Sequence, residues 1–156
     1  MHEAPSDHFT VTPVMLREKS QHKWGEDLWT LRGVLPGLTK GEIKQAELQG
    51  TLFFCFDLII QLYPLHCAAY YQNLISEQPK IYLVCNANES ESPQPLLMTV
   101  DYDEAAAYME TGEQVFHAAL ADVLCVWLER FVLAHYRPKK PKKRQREHWH
   151  ESEQRT

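Results

Sequence analysis

Glycine is scarce in this chain: six residues among 156, at positions 25, 33, 37, 41, 50 and 112. None builds a GxGxxG or GxxxxGK[ST] pattern, and Gly37-Leu38-Thr39-Lys40-Gly41 lacks the dense run of backbone N–H groups that cradles phosphate, so the nucleotide-binding loops are excluded. The four cysteines, at 55, 67, 85 and 125, include no pair close enough for one turn to hold two thiolates on a metal, and no CxxC redox pair. Cys55 and Cys85 sit inside apolar runs and Cys125 in the apolar C-terminal segment, the setting of small buried hydrophobes. A reactive Cys67 activated by His66 is the weaker reading, because neighbours in a strand point to opposite faces. There is no GxSxG elbow and no HExxH among the eight histidines. His148-Trp149-His150 lies among tail charges, without the fixed surroundings a metal site needs. No apolar run reaches the ~18 residues of a membrane span. The longest, Leu52–Leu65, is interrupted by Asp57, Gln61 and Pro64. The opening Met1-His2-Glu3-Ala4-Pro5-Ser6-Asp7 has no basic segment followed by an apolar one, so the expectation is a cytoplasmic protein with reduced thiols and no secretory signal.

What the chain does have is a change of charge sign at His135-Tyr136-Arg137-Pro138. Residues 1–136 carry eight Lys/Arg against eighteen Asp/Glu, a net of −10, and residues 137–156 carry eight against three, a net of +5. With 44% hydrophobic and 24% charged residues, the composition is that of a globular domain. A body of this size buries roughly two-thirds of its unfolded surface, enough for one core. The expected organisation is therefore a disordered lead-in over 1–8, a single domain over 9–136 and a disordered basic tail over 137–156.

Hydrophobic periodicity places strands at Phe9–Arg17, Leu28–Leu35, Thr51–Tyr63, His66–Ile75, Lys80–Asn86 and Leu96–Tyr102. Pro13 cannot donate to a ladder, so the first strand is expected at an edge or with a bulge. In the second, Trp29, Leu31, Gly33 and Leu35 share a face. In the third, Leu52, Phe54, Phe56, Leu58, Ile60 and Leu62 form one continuous apolar face, which Pro64 ends. Leu38–Gly50 reads as a polar connection with one helical turn near Glu42–Glu47. Asp101 and Glu104 then stand at the first and fourth positions of a capping box, opening a helix over Tyr102–Glu110 that Gly112 closes. A longer helix is expected from Ala118 to Tyr136, with Leu120, Leu124, Trp127, Leu128 and Phe131 on one face and Asp122 and Glu129 opposite. A helix so apolar has to be covered on most sides.

Strands followed by helices predict an α+β fold: about six curved antiparallel strands, as a sheet or a small barrel of the pleckstrin-homology type, packed against the long C-terminal helix. The carboxylates Asp101, Asp103 and Glu104 suit a helix N-terminus better than acid–base chemistry. The tail residues Arg137, Lys139, Lys140, Lys142, Lys143 and Arg144 suit nucleic acid, an anionic membrane surface, an acidic protein patch or plain solvation. Phe53, Phe54 and Phe56 have no basic neighbour within their strand, which disfavours the nucleic-acid reading.

Phe9-Thr10-Val11-Thr12-Pro13-Val14-Met15-Leu16-Arg17-Glu18, Lys23-Trp24, Trp29 and Val34-Leu35-Pro36-Gly37 resemble the N-terminal signature of a bacterial family catalogued as domain of unknown function 3305. The resemblance continues through Leu74–Cys85, Tyr102–Glu113, Trp127–Val132, His135–Pro138 and the basic tail, over most of residues 9–146. Family members carry Met-Glu-Arg where this chain has Met15-Leu16-Arg17. The resemblance implies an accessory role in assembling a molybdenum or tungsten formate dehydrogenase, with a subunit or maturation protein of that enzyme as partner. It implies neither catalysis by this chain nor a bound cofactor. Arg17, Lys23, Trp24, Tyr136 and the tail cations are the candidate contacts, since Trp and Arg dominate interface energetics. A pterin-cofactor-handling enzyme or carrier is an alternative, although the label of molybdopterin-guanine dinucleotide synthesis given to some relatives calls for a Gly-rich loop that Phe9–Glu18 lacks. A nucleic-acid-binding regulator acting through the tail is the other.

Overall fold

The computed structural model describes residues 6–20, 25, 27–37, 51–55, 58–86 and 93–137. They form an α+β fold of two antiparallel sheets and three helices, not a closed barrel. In chain order the elements are β1 (His8–Glu18), β2 (Leu28–Pro36), β3 (Thr51–Phe54), β4 (Leu58–Gln61), a 3-10 turn (Pro64–His66), α1 (Cys67–Ile75), β5 (Lys80–Asn86), β6 (Gln94–Thr99), α2 (Tyr102–Glu110), β7 (Gln114–Ala119) and α3 (Asp122–His135). Leu62 N donates to Asp7 O at 2.7 Å and Trp127 Nε1 to Ser6 O at 2.8 Å, so the chain is tied down from Ser6.

β1 is the centre of the first sheet, with β2 on one side and both β3 and β4 on the other. The edge position expected from Pro13 is wrong, and the expected irregularity falls opposite it, in the partner strands rather than in β1 itself. Between Val14↔Gly33 and Met15↔Leu31 the β1–β2 register shifts by one residue, leaving Arg32 as the extra one. That shift turns Val34, not Gly33, towards the core, where Trp29 and Leu31 also pack. On the other side the expected continuous strand Thr51–Tyr63 is two strands. β3 pairs Phe54 with Val14 and β4 pairs Leu58 with Val11, a one-residue slip opposite Thr12 and Pro13. Pro13 has no N–H to offer there, though its carbonyl still accepts from Cys55 N at 3.0 Å. A one-residue slip reverses which side chains share a face. Leu58 and Ile60 therefore align with Val11 and Phe9, whereas Phe53, not Leu52 or Phe54, aligns with Met15.

In the second sheet β5 lies between β6 and β7, with Ile81, Leu83, Val84 and Cys85 fully buried. The expected strand Lys80–Asn86 is observed as such, and the following one begins two residues early and ends at Thr99. The segment His66–Ile75, expected as a strand, is a helix. Its buried positions Cys67 and Tyr70, with Leu74 packed beside them, follow a period of three to four. Pro64 stands at the first position of the 3-10 turn that leads into it, where a missing N–H costs nothing. The expected long helix Ala118–Tyr136 is observed over Asp122–His135 as α3, while its first two residues, Ala118 and Ala119, end β7 instead. Val115 and Phe116 favour a strand, and pairing with β5 from Cys85↔Gln114 to Lys80↔Ala119 carries the extended backbone through two alanines.

Helix α2 matches the expectation residue for residue. Asp101 Oδ1 accepts from Asp103 N at 2.9 Å and Glu104 N at 3.4 Å, while Gly112 closes the end at φ 88°. The reciprocal half of a capping box is supplied by Thr99, whose Oγ1 accepts from Asp101 N at 3.0 Å. Asn73 locks α1 to both neighbours: Nδ2 donates to Lys80 O at 2.7 Å and Val100 O at 3.0 Å, and Oδ1 accepts from Lys80 N at 2.9 Å.

One apolar cluster joins the two sheets to α1 and α3, including Val11, Met15, Ile60, Leu62, Tyr70, Leu83, Leu124, Trp127, Leu128 and Phe131. Within it Trp127 meets Phe9 edge-on at 5.2 Å and Tyr70 meets Phe131 at 6.1 Å. Replacing Trp127 with Ala removes a large buried ring and the bond that ties Ser6, and should cost about 3–5 kcal/mol. Urea unfolding measures it, and a loss under about 1 kcal/mol would show that the ring is not a core element.

Candidate partner-binding surfaces

Helices α1 and α3 pack side by side and leave a trough of about 540 Å³ between them. Tyr71, Leu74 and Ile75 line it from α1, with Cys125, Glu129, Val132 and Leu133 from α3, and Pro79 and Tyr136 complete it. Among these described residues Glu129 carries the one formal charge. The sequence explains the apolar walls. α3 spends Leu124, Trp127, Leu128, Phe131 and Val132 on the core, and its remaining face still holds Val123, Val126 and Leu133. Leu133 is 74% exposed and Ile75 57%. Tyr71 and Tyr136 stack at 5.2 Å with their planes 21° apart, roofing part of the trough with aromatic surface.

Tyr136 is thus both trough wall and helix stop, its N–H donating to Val132 O at 2.7 Å. Arg137 follows, exposed, with Nη1 donating to Tyr136 O at 2.9 Å. The change of charge sign therefore falls at the rim of the trough. Lys139, Lys140, Lys142, Lys143 and Arg144 lie outside the described residues, as do Lys23 and Trp24.

Arg17 belongs to a different place. It stands near the end of β1, its guanidinium 5.3 Å from the Phe53 ring centroid and 5.8 Å from that of Trp29, and Nε is 3.9 Å from Asp27 Oδ2. The two rings meet at 5.2 Å. Phe53 thus has a basic neighbour across the ladder that inspection of its own strand cannot reveal. The guanidinium is already held by two rings and a carboxylate, so it is less free for a partner than an isolated cation.

A second, polar cavity of about 530 Å³ lies among α1, β5 and α2, lined in part by Asn73, Glu77, Lys80, Tyr82, Tyr102 and Asp103. Two carboxylates accompany its single lysine, and the Asn73 amide is committed to backbone. Nearby, His66 Nδ1 lies 3.5 Å from Oδ2 of Asp101, which is itself buried at the start of α2. Among the described residues no three His, Cys, Asp or Glu side chains gather in a way that would hold a metal ion.

Cys67 and Cys85 are buried, as expected of small apolar groups, whereas Cys55 and Cys125 are half-buried at the edge of the core. Desolvation raises the pKa of Cys55, Cys67 and Cys125, and carries Cys85 up to about 12, with Cys55 adding to it. The pairing of Cys67 with His66 does not form as a reactive site, since Cys67 turns into the core. Burial also pushes Tyr70 to about 12, against the opposing bond it accepts from Tyr63 N at 3.0 Å.

A family model described as "Protein of unknown function (DUF3305)" matches residues 10–146. The chain belongs to the DUF3305 family. No curated protein and no solved structure matches it. The family span runs past α3 and takes in Arg137 and the tail cations as far as Arg146, so the trough, its basic rim and the Arg17 corner all fall within the DUF3305 region. No helix among the described residues is long and apolar enough to cross a membrane.

Raised thiol and phenol values have a consequence for stability. Cys85 and Tyr70 keep their protons in the folded chain while the unfolded chain releases them, starting from 9.0 and 10.0 respectively. Their contribution is complete below pH 9 and is lost as pH climbs towards about 12. Urea midpoints should hold level through neutral pH and fall from about pH 9 upward, and Cys85→Ala should flatten the first part of that fall. A midpoint independent of pH up to about 11 would contradict it.

Proposed function

We propose that this DUF3305 protein is a cytoplasmic, non-enzymatic accessory factor that acts by binding another protein during assembly or maturation of a molybdenum- or tungsten-dependent formate dehydrogenase. The observation that carries the protein-binding half is the trough between α1 and α3, where Leu133, Ile75 and two stacked tyrosines face solvent beside Arg137. An exposed apolar strip rimmed by charge is the usual form of an interaction site. The formate dehydrogenase half rests on the family resemblance of Phe9–Glu18, Tyr102–Glu113 and His135–Pro138.

The pterin-handling alternative asks for a cationic pocket in the folded body. The polar cavity offers Lys80 beside Glu77 and Asp103, a poor match to a cofactor phosphate. The nucleic-acid alternative rests on the tail cations alone.

Removing the gene from its host should lower formate dehydrogenase activity while the structural subunits are still expressed. Normal activity in such a strain would end the accessory reading. In the purified system, deleting residues 137–156 should leave the body folded, because that segment holds one large apolar residue, Trp149, and no periodic pattern. The deletion should slow association with the partner, with an effect that shrinks as salt rises. Equal on-rates at low salt would reduce the tail to a solubilising segment.

A further inference from the structure

We propose that the polar cavity among α1, β5 and α2 binds an organic cation of the guanidinium class, free in solution or carried as an arginine side chain. Its ligands are the carboxylates of Glu77 and Asp103 and the hydroxyl of Tyr82, with the ring of Tyr102 as a stacking wall. None of these residues lines the α1–α3 trough, so the site stands apart from the accessory reading.

Tyr82 points to a ligand. Along β5, Ile81, Leu83 and Cys85 enter the core cluster, and strand alternation turns Tyr82 to the other face. There it lines the cavity at only 8% exposure, its ring 5.9 Å from that of Tyr102 and 6.5 Å from that of His117. Burial, and then the neighbouring phenol of Tyr102, raises its pKa. Among the described residues its hydroxyl makes no hydrogen bond. A buried phenol normally has a polar partner, and the cavity is where one fits.

Charge selects the guest. Glu77 and Asp103 set two carboxylates against the single ammonium of Lys80, and none of the three enters an ion pair among the described residues. The last turn of α1 also faces the cavity through Gln72 and Ser76, and the carbonyl end of a helix favours cations. A phosphate or carboxylate meets the opposite field. A metal ion lacks ligands, since no three His, Cys, Asp or Glu side chains gather among the described residues. A guanidinium answers both needs. Its planar face stacks on Tyr102, which is 57% exposed, while its fan of N–H donors serves carboxylates and a phenolic oxygen together. At about 530 Å³ the cavity lies within the range of small-ligand clefts.

The test titrates the intact chain at about pH 8, where histidines are neutral, and follows the ring signals of Tyr102 by NMR. The probes are ethylguanidine, a blocked arginine tripeptide and its uncharged citrulline counterpart. Both guanidinium probes should shift the signals saturably, with a Kd of about 5 mM or tighter, and the citrulline peptide should not. Glu77→Gln and Asp103→Asn should each weaken binding by about three- to tenfold, and Tyr82→Phe by about threefold. Lys80→Gln should tighten it by about twofold or more, because the one like charge is gone. The cap of α2 rests on Asp101 and Glu77 is exposed, so the urea midpoints of the two carboxylate variants should stay near the parent's. Tighter binding of the tripeptide than of ethylguanidine upholds the site and assigns the cation to a protein partner. Equal binding upholds it and assigns the cation to a free small molecule. No saturable shift with either guanidinium probe up to about 20 mM overturns the proposal. So do equal affinity for the citrulline peptide, binding indifferent to both carboxylate variants or to Tyr82→Phe, and weaker binding by Lys80→Gln. Saturable binding of inorganic phosphate that Lys80→Gln abolishes would make this an anion site and overturn it too.

Discussion

Pro13 sits in the middle of the central strand of the first sheet, and the hydrogen bond it cannot donate governs how that sheet is built. A central strand normally gives a full ladder to both sides. Here β1 keeps its partners by letting both sides slip near the proline: β2 inserts Arg32, and the opposite partner divides into β3 and β4. The two slips are what bring Trp29, Leu31 and Val34 into one packed group and set Phe53 under Arg17. Val11, Thr12, Val14, Met15 and Leu16 are all buried, so β1 is covered on both faces and holds its position by packing where its ladder is incomplete.

The helical layer shows a different imbalance, an excess of apolar surface over what the fold can use. α3 has five buried side chains on its inner face and still exposes Val123, Val126 and Leu133. Full burial of one Leu or Val contributes about 1.5–3 kcal/mol relative to exposure, so the fold forgoes a gain of that order at each position. Scattered exposed leucines are ordinary on protein surfaces. Leu133 and Ile75 are set apart by sharing one trough with two stacked tyrosines, at the point where the chain turns basic.

The sequence was most legible where one local signal acted alone. Asp101 before Tyr102–Glu110, with Gly112 beyond, is a pattern that capping chemistry accounts for in full, and β5 is a short β-branched and aromatic run that a buried strand requires. His66–Ile75 misled because Cys67, Ala68, Ala69, Tyr70 and Tyr71 are apolar in every phase, leaving the period to be carried by Cys67, Tyr70 and Leu74. The helical alternative was visible in Pro64 followed by alanines. The Ala118–Ala119 pair misled in the other direction, since alanine prefers helix and the pairing with β5 overrides that preference. Of the candidate contacts, Tyr136 and Arg137 fall together at the trough rim, while Arg17 lies apart on the first sheet over two rings. No pattern in the sequence joins Tyr71 to Tyr136. Their stacking depends on α1 lying beside α3, and that follows from the helix the sequence concealed.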